Sequence, residues 1–200
     1  MRHTQLVKAA RRAALFEGAA VIGVLVAVMW VLEIVNKIDG QGLDGDGIYA
    51  RSLKGLPGII SSPFLHAGFD HLIGNTIPFV ILGLIIAAAG ARRVIEVTVV
   101  VALVAGLGTW LVSPSHVSTI GASGIVFGYA GFLIARGFFT RSFMALGIGV
   151  AVAILFGASL AADLVPQAGI SWQDHLFGAL GGVLAARVVS GGRGTQTILP

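Results

Sequence analysis

The chain has 200 residues, of which 56% are hydrophobic and only 11% are charged, and its mean hydropathy is +0.93. A soluble domain carries roughly 25% charged residues, so this composition predicts an integral membrane protein. The chain contains no cysteine, which excludes disulfides, thiolate catalysis and thiolate metal sites. Its net charge of +4 is explained by basic residues that orient a polytopic membrane protein, so we expect no nucleic-acid partner.

Six segments are apolar enough to cross a bilayer, for which a helix needs about 20 mostly apolar residues. No small-residue cleavage motif follows the first of them, so we expect it to remain as an uncleaved helix rather than a signal peptide. The sixth is the weakest, because Arg187 interrupts it. The sequence predicts an all-α polytopic membrane protein, a bundle of six transmembrane helices in a single domain over residues 1–200. The expected spans are about 13–35, 71–91, 94–112, 119–135, 143–162 and 172–190.

The distribution of Lys and Arg over the connecting segments predicts the orientation, because cytoplasmic loops are enriched in both residues. With the N-terminus placed inside, three of these residues fall outside, namely Lys37, Arg51 and Lys54. This asymmetry predicts that both termini are cytoplasmic, and it suits a bacterial cytoplasmic membrane. The ten inner residues are Arg2, Lys8, Arg11, Arg12, Arg92, Arg93, Arg136, Arg141, Arg187 and Arg193.

The segment 36–70 is the one long loop between the predicted spans. Its first half, KIDGQGLDGDG, is rich in turn-forming residues, and its second half is semi-apolar. Loops of this length are usually functional or disordered. We expect the semi-apolar half to be partly embedded in the outer leaflet.

Three polar clusters lie within or at the edge of predicted spans. They are HAGFDHLIGN, with His66, His71 and Asn75, then GASG, with Ser123, and DHLFGALGG, with His175. The predicted topology brings all three clusters to a similar depth near the extracellular side. Polar groups inside a membrane are costly and usually mark function, so we expect the active site near the extracellular face.

Ser123 lies between Gly121 and Gly124 in the GASG segment. Flanking glycines permit a tight turn and let other groups approach closely. If Ser123 starts a helix, the unpaired N–H groups and the helix dipole favour a developing negative charge, as an oxyanion hole requires. The alternative is that a serine between glycines is a packing position, which is common in membrane helices.

His175 is the natural general base, because an imidazole can take the serine proton and pass it to a leaving amine. Gly178 and Gly182 follow it four residues apart, and Gly124 and Gly128 repeat this spacing after the serine. Two such faces would let their helices pack closely and bring the serine within hydrogen-bond reach of His175. The alternative for His175 is an interfacial histidine without a role.

His71 and Asn75 are four residues apart, so they share one helix face and could both donate hydrogen bonds to an oxyanion. His66 is expected just outside that helix. The alternative is that these groups cap or bridge helices. A metal site of His66, Asp70 and His71 is not supported by any metal-binding spacing, so we expect no metal and no cofactor.

Asp174 adjoins His175, but neighbouring residues on a helix do not face each other. We therefore interpret it as an interface or loop carboxylate. A Ser–His dyad without a third member is the simpler reading of the sequence.

Together, the three clusters resemble the rhomboid family of intramembrane serine proteases over essentially the whole chain. HAGFDHLIGN is similar to that family's HxxxxHxxxN pattern, GASG to its GxSG motif, and DHLFGALGG to its HxxGxxxG final helix. The resemblance implies that Ser123 is the nucleophile and His175 the base. It also implies that His71 and Asn75 help to bind the oxyanion.

The sequence departs from the family pattern at one position near the serine. Some rhomboids have a tyrosine four residues after the nucleophile, packed on the catalytic histidine, and here this residue is Phe127. A phenyl ring can also pack on an imidazole, so we expect activity to survive.

The resemblance implies hydrolysis of peptide bonds in single-span membrane proteins, with small residues at the cleaved bond and a locally unwound substrate helix. Two alternatives belong to other classes. A non-catalytic rhomboid-like protein would bind transmembrane segments, although Ser123 and His175 are both present. A small transporter or channel would carry a charge in the middle of a span, and no predicted span has one there.

Overall fold

The computed structural model describes residues 2–167 and 169–191. Within these residues the chain is helical, and strand pairing is limited to two isolated bridges, Ile48 with Thr119 and Gln167 with Ile170. Five connections separate the six long helices, and four of them are short, whereas residues 39–68 form a long one. The α-helices are α1 (Arg2–Ile38), α2 (Gly58–Ser61), α3 (Phe69–Ala87), α4 (Ala91–Val112), α5 (Ser123–Thr140), α6 (Phe143–Ala162) and α7 (Trp172–Gly191).

Five of the described helices, α1 and α3 to α6, are long and apolar enough to cross a membrane. This finding supports the predicted all-α, multi-pass architecture. The sixth predicted span corresponds to α7, which is not among the five. The count of six spans therefore stays a prediction.

The helices extend beyond several of the predicted spans. The helix α1 has 37 residues, which corresponds to about 55 Å at 1.5 Å per residue, far more than the roughly 30 Å of a bilayer core. Hydropathy finds only the apolar part of a helix, whereas lysine and arginine continue a helix readily. For the same reason Arg136, expected in a loop, lies inside α5. Arg193, counted among the inner residues, lies outside the described residues.

The helix α5 forms the centre of the bundle and packs most extensively against α7. A Cβ at Gly178 would overlap the carbonyl oxygen of Gly124, and a Cβ at Gly182 would overlap that of Gly128. The two glycine pairs therefore let the backbones of α5 and α7 meet directly. The packing of these helices fixes the relative positions of the residues at their first turns.

The connection between α1 and α3 is an ordered, folded segment. It contains 3-10 turns at Gly42–Asp46, Leu53–Gly55 and Ser62–Phe64, together with α2. Ile48 and Thr119 exchange two backbone hydrogen bonds of 3.0 Å. These contacts dock the loop against the segment that leads into α5.

Arg51 fixes the same loop to the end of α4. Its backbone N–H donates to the Trp110 carbonyl at 2.9 Å, and its Nη1 donates to the Leu111 carbonyl, also at 2.9 Å. The last carbonyls of a helix lack partners inside the helix and attract positive charge, so the guanidinium caps α4.

A buried asparagine at the end of α1 joins this helix to the loop. Asn36 donates from Nδ2 to Asp44 Oδ1 at 2.8 Å and to the His66 carbonyl at 3.3 Å, and its Oδ1 accepts from the Leu43 amide at 3.0 Å. Its side chain is 1% exposed. Asn36 therefore links α1 to the segment that enters α3.

Candidate functional site

Ser123 is the first residue of α5, directly after a turn that needs glycine. Gly121 has a φ of +124°, a conformation that residues with a side chain rarely adopt, and Ala122 is the N-cap of the helix. The first amides of a helix have no partners within it and carry a partial positive charge. The serine therefore lies where backbone donors and the helix dipole favour an anion.

One cavity of about 980 Å³ brings the predicted site residues together. Ser123, His175, His71 and Asn75 all line it. They come from the first turns of three different helices, α5, α7 and α3. The packing of these helices thus gathers groups that are up to about 100 residues apart in the sequence.

His175 is held by a backbone carbonyl. Its Nδ1 lies 2.9 Å from the carbonyl oxygen of Asp163, and its side chain is almost completely buried. Because a carbonyl can only accept a hydrogen bond, Nδ1 carries the proton when the imidazole is neutral. Nε2 then keeps its lone pair, which is the form that a general base needs.

The ring of Phe127 also orients this imidazole. The two ring centroids are 4.2 Å apart, and the ring planes differ by only 6°. Phe127 is four residues after Ser123 and lies on the next turn of α5. The aromatic contact therefore ties the imidazole of α7 to the helix that carries the serine.

No hydrogen bond joins Ser123 to His175 among the described residues. The predicted contact between nucleophile and base therefore stays a prediction, although both side chains line one cavity. Catalytic hydrogen bonds are often long without substrate and tighten when the substrate binds. The arrangement is compatible with a dyad that closes on binding.

His71 and Asn75 both face the turn before the serine. A Cβ built at Gly121 would lie 2.8 Å from His71 Nε2 and 3.6 Å from Asn75 Nδ2. His71 Nδ1 accepts from the amide of Ala67 at 3.4 Å, so a neutral His71 carries its proton on Nε2, the side that faces Gly121. Asn75 uses one of its two N–H groups on the His71 carbonyl, at 3.2 Å.

His66 lies outside α3, as predicted, and its side chain is fully buried. Its Nε2 accepts a hydrogen bond of 3.3 Å from the amide of Ala122. Burial, helped by the nearby His71 imidazole, lowers the pKa of His66 to about 4. The neutral ring therefore holds the residue that directly precedes Ser123, which is a supporting role rather than a catalytic one.

The interpretation of Asp174 as an interface or loop carboxylate is wrong. Its side chain is 7% exposed and lies between helices, where Thr109 donates to its Oδ1 at 3.3 Å. The carboxyl group presses against Gly124, whose missing side chain leaves the space for it. The single sequence does not reveal this placement, because it depends on how α5 and α7 pack.

Sequence reasoning also missed Asn36 and the carbonyl of Asp163. Asn36 did carry a signal, because a polar residue at the end of an apolar span usually has a function. The carbonyl carried none, since every residue has one. As to metals, the described residues contain no group of three or more His, Cys, Asp or Glu that could hold an ion.

Comparisons with known proteins show the family to which the chain belongs. Residues 54–192 match the family model described as Rhomboid domain. An uncharacterized protein of Mycobacterium tuberculosis (strain ATCC 25618 / H37Rv) is 38% identical over 181 residues, which cover 86% of this chain and 75% of that protein. An uncharacterized protein of Mycobacterium leprae (strain TN) is 36% identical over 189 residues, covering 90% and 74%. The Bacillus subtilis (strain 168) protein named "Putative rhomboid protease YdcA" is 26% identical over 127 residues, covering 63% of each chain.

Proposed function

The chain belongs to the rhomboid family, and from this premise we propose that it is an intramembrane serine endopeptidase. Ser123 is the nucleophile and His175 the general base of a Ser–His dyad. One observation carries the proposal: the Asp163 carbonyl holds the His175 imidazole in the tautomer that a base needs, inside the cavity that Ser123 also lines.

The reaction is an acyl transfer in two steps. Ser123 Oγ attacks the carbonyl carbon of a peptide bond while His175 Nε2 takes the hydroxyl proton. The C–N bond then breaks, the imidazolium returns the proton to the leaving amine, and an acyl-enzyme remains. Water, deprotonated in turn by His175, attacks the ester, releases the new carboxyl terminus and restores the serine hydroxyl.

The negative charge of each tetrahedral intermediate needs hydrogen-bond donors. The Ser123 backbone N–H, at the start of α5, supplies one of them in this proposal. The side chains of His71 and Asn75 supply the others, since both face the glycine turn that precedes the serine. His66 positions that turn through the amide of Ala122.

The substrates are single-span membrane proteins that reach the site from the surrounding lipid bilayer. A substrate helix must unwind locally, because the carbonyls of an intact helix are hydrogen-bonded and shielded by side chains. In the proposed orientation both termini are cytoplasmic, α7 is the sixth span, and the cavity faces the extracellular side of a bacterial cytoplasmic membrane. Water enters the cavity from that side.

The experiment is cleavage of a model single-span substrate in liposomes, together with labelling by a fluorophosphonate that reacts with activated serines. Wild type should cleave and be labelled, and Ser123→Ala should do neither. Ser115→Ala is the matched control, because Ser115 is exposed and does not line the cavity. Full cleavage by Ser123→Ala would exclude the proposed nucleophile. Absence of both cleavage and labelling in wild type would favour a non-catalytic rhomboid-like protein that binds transmembrane segments.

A further inference from the structure

The residue after the proposed nucleophile touches the residue before the proposed base. A Cβ at Gly124 would overlap the carboxyl group of Asp174, with Cγ at 2.7 Å and Oδ1 also at 2.7 Å. The carboxyl group of Asp174 therefore lies directly against the Gly124 backbone. Ser123 and His175 are the chain neighbours of these two residues, so the contact joins the two helices beside the dyad.

A third helix takes part in the same contact. Thr109, at the last turn of α4, donates its hydroxyl to Asp174 Oδ1 at 3.3 Å and is itself fully buried. A buried carboxyl group is costly unless it is hydrogen-bonded, so its partners determine where it lies. Asp174 therefore fixes the first turn of α7 between the end of α4 and the start of α5.

Asp174 does not act on the imidazole directly. Consecutive residues on a helix point in different directions, and the Nδ1 of His175 is bonded to the Asp163 carbonyl instead. Asp174 thus has no place as the third member of a triad. Its effect on His175 must run through the backbone of α7.

We propose that Asp174 is a positioning residue that holds the His175 imidazole at a fixed position relative to the Ser123 hydroxyl. The inference rests on the proposed function, because it concerns the geometry of that dyad. The Phe127 ring limits movement of the imidazole along its stacking direction, and the Asp163 carbonyl limits its rotation. The contact of Asp174 with Gly124 limits sliding and rotation of the α7 backbone, which neither of those groups restrains. A misplacement of about 1 Å can cost a reaction about a hundredfold in rate.

The test is the second-order rate of fluorophosphonate labelling of the full chain in liposomes. This rate reports activation of the serine and needs no protein substrate. We compare wild type with Asp174→Ala, which removes the contact, and with Asp174→Asn, whose amide oxygen still accepts a hydrogen bond. Asp70→Ala is the matched control, because Asp70 also lies in the first turn of a helix, α3, but is exposed.

We expect Asp174→Ala to lower the labelling rate about 10- to 100-fold, whereas Asp174→Asn and Asp70→Ala stay within about threefold of wild type. A wild-type rate in Asp174→Ala would overturn the positioning role and leave the proposed function intact. An equal loss in the Asn and Ala variants would overturn it too, because charge and not hydrogen bonding would then be the cause. A wild type that is not labelled would overturn the proposed function, and the positioning role with it.

A second measurement separates positioning from mere loss of folding. The chain contains no cysteine, so Ser123→Cys introduces a single thiol. An imidazole that lies beside a thiol lowers the pKa of that thiol and makes its alkylation fast at neutral pH. We expect Asp174→Ala, added to this variant, to move the pH midpoint of alkylation upwards while far-ultraviolet circular dichroism stays unchanged. An unchanged midpoint would contradict the proposal.

Discussion

The rings of Phe127 and His175 are stacked, with centroids 4.2 Å apart and planes only 6° from parallel. This contact predicts that catalysis depends on a planar aromatic ring at position 127, and not only on the volume of the side chain. Phe127→Leu keeps an apolar side chain but removes the stacking surface, so we expect kcat to fall about tenfold with little change in KM. Phe127→Tyr keeps the stacked ring and should stay near wild type. Cleavage kinetics with a single-span substrate in liposomes measure both variants.

A loss of kcat in Phe127→Leu has to be separated from a loss of stability, because the Phe127 side chain is buried. The temperature of unfolding in detergent, measured beside the kinetics, makes this separation. Equal kcat values for the Leu and Tyr variants would show that the ring does not orient the imidazole.

The Asn75 side chain faces the glycine turn before Ser123, 3.6 Å from the position of a Cβ at Gly121. We predict that Asn75→Ala lowers kcat by about 10²–10³, the typical effect of losing one oxyanion donor. Fluorophosphonate labelling should slow as well, because the phosphoryl oxygen of the probe occupies the position of the oxyanion. An unchanged cleavage rate would remove Asn75 from the oxyanion site. Thr76→Val is a useful comparison, because the Thr76 hydroxyl bonds to the Leu72 carbonyl and the Trp30 indole and does not line the cavity.

The sequence was sufficient to predict that the polar clusters come together, and residues of all three line one cavity. The apolar part of a helix that crosses a bilayer has a nearly fixed length, so apolar segments of about 20 residues are expected to bring their polar ends to similar depths. The spacing of His71 and Asn75 puts both side chains on one face of α3, and both line the cavity. Regular helix geometry is enough for inferences of this kind.

The sequence was not sufficient where a contact depends on packing between helices. Asp174 fits against α5 only because Gly124 has no side chain. To predict this contact, one has to know the register in which α5 and α7 pack. The Asp163 carbonyl that holds His175 could belong to any residue type, so no pattern marks it. The start of α5 was expected near residue 119, but the pairing of Thr119 with Ile48 keeps that segment extended until the Gly121 turn.

The buried His66 predicts a pH dependence of stability. Burial lowers its pKa from 6.5 to about 4 in the folded protein, so the unfolded chain binds more protons between these values. The contribution of His66 to the free energy of unfolding is therefore fully present above pH 6.5. This free energy falls by up to about 3 kcal/mol as the pH decreases towards 4. Protonation would also break the bond that Nε2 accepts from Ala122.

Unfolding temperatures of wild type and His66→Gln between pH 4 and pH 7 check this prediction. The glutamine oxygen can accept from the same amide but does not titrate. All other titratable groups are the same in both proteins, so the difference between the two curves isolates His66. Parallel curves over the whole range would contradict the prediction.

The contact of Gly182 with Gly128 predicts a large effect of a single methyl group. A Cβ at Gly182 would overlap the Gly128 carbonyl and lie 2.7 Å from the Phe132 amide nitrogen. Both atoms belong to the α5 backbone and cannot move aside as a flexible side chain could. We expect Gly182→Ala to force α5 and α7 apart, to destabilise the protein by about 1–3 kcal/mol, and to slow labelling of Ser123.

Gly157→Ala is the matched control for this substitution. Gly157 also lies inside a helix, α6, but no atom comes within 4 Å of the position of its Cβ. Alanine is the better helix former by about 0.5–1 kcal/mol, so this variant should be as stable as wild type or slightly more stable. Urea or thermal unfolding in detergent measures both variants. If the two substitutions had the same effect, helix propensity and not the contact between α5 and α7 would explain it, and the two helices would not be held together through their glycines.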